Sequence, residues 1–191
     1  MGKVYTSFDE VSRAYNKVRR ELIALGVLWD GSKLDGVECI YEPFDYHGLA
    51  GWMGFYRYDD RNIHFPAVYN GLDRSFGWTD KNSAIDVLRH EFGHALSHRY
   101  PEVLRSGALF VKAFGGPHGA RPAKGTDPED WEGRCVTGYA ATATREDFAE
   151  TFMLFVKHKG KIPAKFAKMP PVRKKWKAVA EIVKRVAAAT R

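Results

Sequence analysis

Near the start of the chain, apolar residues recur at three- and four-residue steps: Phe8, Val11, Tyr15, Val18, Leu22 and Leu25, separated by Asp, Glu, Arg and Lys. That spacing predicts an amphipathic helix over 7–25, with Gly26 placed to stop it. The run VECIYEP reads as a short strand ending at Pro43. WMGFYRYDDRNIHFPAVY places aromatic and β-branched residues on both sides of Asp59-Asp60-Arg61-Asn62, the composition of a hairpin with a four-residue loop. Pro66 restricts the residues after it to an edge or a strand end. A second helical period covers 82–99, with Ile85, Leu88, Phe92, Ala95 and Leu96 as its apolar stripe and Pro101 closing it. Ser83 followed by Asp86 resembles a capping box at its start. Further helical runs cover 102–114, which ends at Gly115-Gly116, and 145–158, with Thr144 as N-cap and Asp147 three residues on.

The last helix begins after Pro170-Pro171 and covers about 171–189. Trp176, Val179, Val183, Val186 and Ala187 form its apolar face, while Lys174, Lys175, Lys177, Lys184 and Arg185 fall mainly off it. Between these elements, GGPHGARPAKGTDPEDWEG (115–133) is rich in Gly, Pro and charge, as a functional or mobile loop is. No internal repeat or second domain is visible. The expectation is one α+β domain spanning 1–191: an N-terminal helix, a small mixed sheet, and three further long helices.

Composition agrees with a globular domain: 45% hydrophobic and 28% charged over 191 residues. No apolar run reaches the ~18–20 residues needed to span a bilayer. The N-terminal segment lacks a secretory apolar core, so cytoplasm is the default expectation. The net charge of +7 is unevenly placed: residues 157–191 hold 12 Lys/Arg against one acid, Glu181. The amphipathic pattern there favours a packed terminal helix over a free basic arm for nucleic acid or anionic lipid. Cys39 and Cys135 form no CxxC pair and read as small buried residues.

The chemistry lies in HEFGH. His90 and His94, at i and i+4, project from one helix face and suit a single zinc ion. Glu91 is placed to take a proton from an activated water. Composition alone gives a chance HExxH in a chain like this an expectation of roughly 0.015. Gly93 weakens the helix by about 1 kcal/mol relative to Ala, and lets another element approach closely. A metzincin would need Gly at 97 and His at 100; Ser97 and Tyr100 exclude that class. His98 lies about 12 Å along the axis from His90, too far for all three to share one ion, and reads as a polar helix-end residue. Glu146 and Glu150, four apart on the 145–158 helix, share a face bordered by Phe148, Ala149 and Phe152. One can ligate the metal and the other can support a histidine.

The segments VLRHEFGHAL and GYAATATREDFAETF together resemble the gluzincin zinc metallopeptidases, within them the anthrax lethal factor and Pro-Pro endopeptidase family. The resemblance implies Zn2+ on His90, His94 and Glu146, with Glu150 behind the ligands. It also implies that Tyr139 donates to the developing oxyanion, a role that would stabilise charge present only in the transition state. It implies a zincin-like domain whose sheet edge, near 54–66, binds an extended peptide or protein substrate. Members of that family are mostly secreted, whereas this chain shows no export signal. His118, in the 115–133 loop, is a further candidate donor over the cleft. Two rival readings stand beside the endopeptidase: a zinc-bearing interaction module without general proteolysis, and a binder of nucleic acid or anionic surfaces through the basic helix. Oligomeric state and cleavage preference are not encoded legibly.

Overall fold

The computed structural model describes residues 3–42, 54–70, 84–104, 108–121 and 130–189. Strand β1 (Lys3–Tyr5) precedes helix α1 (Phe8–Ala24), whose Ser7 cap accepts a hydrogen bond from the Glu10 amide. Val11, Ala14, Val18 and Leu22 of α1 are buried, and Gly26 follows with φ +68, where an L side chain would be strained. Phe8 departs from the expected stripe: it is 62% exposed, with its ring in edge-type contact with that of Tyr41.

Strands β2 (Cys39–Glu42), β3 (Phe55–Tyr56) and β4 (Ile63–Pro66) form a three-stranded mixed sheet in the order β2-β4-β3. Pro43, expected to close β2, lies outside the described residues. β2 runs parallel to β4, and β3 runs antiparallel to it with Phe55 opposite His64 and Tyr56 opposite Ile63. The hairpin is therefore present: beyond Phe55 and Tyr56 the Arg57 amide donates to the Asn62 carbonyl at 2.8 Å in the same register, so its loop is the four residues 58–61, one position earlier than expected. Within it the Asp60 carboxylate binds the Asn62 amide and Nε2 of His64, drawing the loop back over β4. The other ring nitrogen of His64 meets Glu42 at 2.6 Å, tying β4 to β2. Pro66 ends β4, as its missing N–H requires. β5 (Val68–Asn70) pairs antiparallel with β1, a two-stranded ribbon that no local pattern indicates.

Helix α2 (Ala84–Arg99) leads into the short α3 (Pro101–Leu104); α4 (Ala108–Phe114) ends at Gly115, φ +82. The 102–114 run is thus two helices, with 105–107 outside the described residues. A 3-10 turn, Tyr139–Thr142, precedes α5 (Thr144–Lys157), α6 (Ala164–Ala167) and α7 (Pro170–Ala188). Among the described residues the chain is mixed α+β, with seven α-helices around a small sheet. Among those residues no helix is long and apolar enough to cross a membrane.

α2 is not the one-sided stripe that its periodicity suggests. Every residue from Asp86 to Ser97 is buried, because its polar positions have partners inside the protein. Ser83 lies outside the described residues, and Asp86 is engaged elsewhere than in a capping box: it pairs with Arg89 and receives Lys157 at 2.7 Å. Arg89 in turn makes a two-pronged contact with Glu21 at 2.7 and 2.8 Å, so one ionic chain links α1, α2 and α5. The Thr144 cap is also displaced. Ala143 occupies the cap position, the Thr144 hydroxyl donates to the Pro117 carbonyl, and the Asp147 carboxylate turns to Lys175 at 2.6 Å.

That last contact corrects the reading of the basic helix. α7 buries Val172, Trp176, Val179, Ile182, Val183 and Val186 as an apolar face, but Lys175 is buried with them. Its ammonium also donates to the Arg134 carbonyl at 2.7 Å and to the Cys135 sulfur at 3.3 Å. Both cysteines are free, Cys135 buried and Cys39 partly so.

Candidate metal centre

α2 and α5 bring the chemistry together because one position between them carries no side chain. A Cβ on Gly93 would stand 3.0 Å from the Cα of Ala149 and 3.3 Å from Phe152. Contact that close sets the first turns of α5 against the middle of α2. His90 and His94 then project from α2 toward Glu146 on α5, as their four-residue spacing dictates.

The three ligand atoms converge. Nε2 of His90 lies 3.1 Å from Nε2 of His94, and Oε2 of Glu146 lies 3.1 Å from His94 and 3.3 Å from His90. Tetrahedral ligands about 2.0–2.1 Å from one ion would stand about 3.3 Å apart, so the group fits a metal ion. Among the described residues it is the group of three ligand-bearing side chains spaced for that purpose, and all three are buried.

The electrostatics point the same way. Glu150, fully buried, meets Nδ1 of His90 at 2.6 Å through Oε1 and accepts from the Thr137 hydroxyl at 2.8 Å through Oε2. A carboxylate accepting at both oxygens leaves the hydrogen on Nδ1, so Nε2 offers its lone pair to the centre. Two imidazole lone pairs and a carboxylate oxygen facing one another demand a positive charge between them. With protons alone, burial would push His90 down, yet Glu146 and Glu150 outweigh it and push it up to about 10. Burial likewise favours a neutral Glu146, but His90 and His94 hold it well below the usual carboxylate range. Nδ1 of His94 is buried and has no partner among the described residues, so only the His90 ring is fixed from behind.

Glu91, 6% exposed, turns to the sheet instead: its Oε2 accepts from the Tyr56 amide of β3 at 2.8 Å. Burial pushes its carboxyl up, offset in part by the nearby histidines and that amide. Tyr139 packs its ring 5.8 Å from that of His90, tilted by 43°, and its phenol interacts with Glu146. Burial, followed by the charges of Glu146, Glu91 and Glu150, pushes that phenol up, so it stays a hydrogen-bond donor.

His98 lies apart from the cluster, with Nδ1 2.9 Å from the Tyr56 hydroxyl. His118 stands beside Phe110 of α4, ring centres 5.4 Å apart, and is not in the ligand group; 122–129 of its loop lie outside the described residues. Three participants had no sequence signal: Thr137, which anchors Glu150; Arg145, whose Nε donates to Oε1 of Glu146 at 2.8 Å; and the Tyr56 amide. Each acts by a contact that no spacing rule encodes. Compared with family models, with curated proteins and with solved structures, the chain gives no match.

Proposed function

We propose that this chain is a zinc-dependent endopeptidase of the gluzincin type, on a zincin-like fold. The observation that carries the reading is the convergence of His90, His94 and Glu146 within 3.3 Å, with Glu91 and Tyr139 flanking it. Two imidazoles and a carboxylate are the donor set of hydrolytic zinc sites, and three protein ligands leave a fourth position open. Zinc bound there would supply Lewis acidity and lower the pKa of water to about 7.

The chain's own residues do the rest. Glu91 takes a proton from the attacking water and delivers it to the leaving amine; its burial, which raises its proton affinity, suits that relay. Tyr139, kept protonated, donates to the oxyanion as it forms. Glu150 holds His90 in the tautomer that ligates. β3 ends the three-stranded sheet beside α2, where an extended peptide can add to it.

The test compares the zinc-loaded chain with Glu91→Gln on a random peptide library. Equal zinc content and fold with cleavage reduced a hundredfold or more is the expected result. Zinc bound one-to-one with no cleavage by the wild-type chain would instead favour a zinc-bearing interaction module. Failure to bind zinc would sink both.

A further inference from the structure

Arg145 stands where the fold gives it little reason to be. It is the second residue of α5, and a cation in the first turn of a helix opposes the helix dipole. It also adjoins the centre where His90, His94 and Glu146 already favour a positive charge. One bond offsets this: Nε to Oε1 of Glu146, whose other oxygen faces the two imidazoles. The side chain remains 53% exposed, and its two Nη groups have no partner among the described residues. Exposed, and bonded to the carboxylate oxygen that does not face the imidazoles, the guanidinium lies on the solvent side of Glu146.

A planar guanidinium fork with its Nη hydrogens unused matches a carboxylate in two-pronged geometry, as an ammonium would not. Glu91 and Glu146 line the centre and Glu150 lies behind His90, so three carboxylates together outweigh the charge of a bound dication. Arg145 is a cation on the exposed side of that cluster, where a substrate acid meets a favourable charge. We propose that Arg145 reads a carboxylate on the substrate: an acidic side chain beside the scissile bond, or the free C-terminal carboxylate. This deepens the peptidase reading and rests on it.

The probe is an equimolar random peptide library in free-acid and amidated forms, given to the zinc-loaded full chain. Peptides with Asp or Glu at one position near the cut are expected to be cleaved about tenfold to a hundredfold faster than the rest. If the C-terminal carboxylate is what is read, free acids exceed amides by that factor instead. Zinc-loaded Glu91→Gln should retain the same peptides without turnover, an equilibrium readout independent of rate. Arg145→Gln can still donate to Glu146 and should lose the preference on its zinc-loaded fraction, while Arg145→Glu should turn it toward Lys and Arg or toward amides. Cleavage with no acid preference, or a preference that survives in Arg145→Gln, overturns the carboxylate role and leaves the peptidase reading intact. If the library is neither cut by the wild-type chain nor retained by Glu91→Gln, both readings fall.

Discussion

The backbone of Ala149 lies so close to Gly93 that a single methyl on the glycine would stand 3.0 Å from the Ala149 Cα. Both neighbours are helix backbones, so neither can yield as the tip of a flexible side chain could.

Gly93→Ala should therefore destabilise the chain. Overpacking costs about 1–3 kcal/mol, against a gain of up to about 1 kcal/mol in helix propensity. The larger effect is expected on metal affinity, since any shift of α5 carries Glu146 away from the histidines. Thermal unfolding and zinc titration of the variant separate the two. Unchanged zinc affinity would mean that the approach of α5 does not set the ligand geometry.

Glu150→Gln keeps the volume of the side chain but removes the charge that fixes the His90 tautomer. Zinc affinity should drop by about 10–100-fold, measured by competition with a chromogenic chelator. Thr137→Val, which takes away the hydroxyl on the other oxygen of Glu150, should move it in the same direction by less. Equal affinity in all three proteins would remove Glu150 from the site.

Lys175→Met leaves the Asp147 carboxylate buried without its cation, a change that costs about 3–5 kcal/mol where a buried pair is broken. Burial already pushes Asp147 up to about 6 despite Lys175, so losing the lysine raises it further. A carboxyl raised above its unfolded value favours folding at low pH and loses that contribution as pH rises through the folded value. The variant should accordingly be hurt more at pH 8 than at pH 5 in urea unfolding. Lys175→Met combined with Asp147→Leu should recover most of the loss; a double variant no better than the single would show that the pair is not the reason for the burial.

Burial pushes the Cys39 thiol up to about 12 and that of Cys135 upward too. At pH 8 Cys39 then holds about a thousandfold less thiolate than an ordinary cysteine. A disulfide reagent should label the native chain slowly at both positions and rapidly in denaturant. Prompt labelling of either thiol in the folded protein would contradict its placement.

What the sequence made legible was whatever a helix repeats. The i, i+4 pairs His90/His94 and Glu146/Glu150 announce their shared faces, and Gly93 announces a close neighbour, because a regular helix converts spacing into direction. The hairpin was visible for a similar reason, through turn residues between β-branched and aromatic runs. Contacts distant in sequence left no such trace. Lys175 looks like one more surface lysine until Asp147, 28 residues earlier in the chain, is seen to face it. The β1–β5 ribbon joins residues more than sixty positions apart. Arg145 leaves no trace for another reason: its part depends on how Glu146 divides its two oxygens, one to the guanidinium and one to the imidazoles.

The Tyr56 amide has a single hydrogen, and in this structure Glu91 holds it. A peptide adding to β3 would compete for that same hydrogen, so Glu91 and an incoming strand could not both be satisfied by it at once. Arrival of a strand would thus unlatch Glu91, and its departure would latch it again. On the peptidase reading, the edge of the sheet and the Glu91 carboxylate would be coupled as an interlock, with the base freed by the docking of what it is to cut.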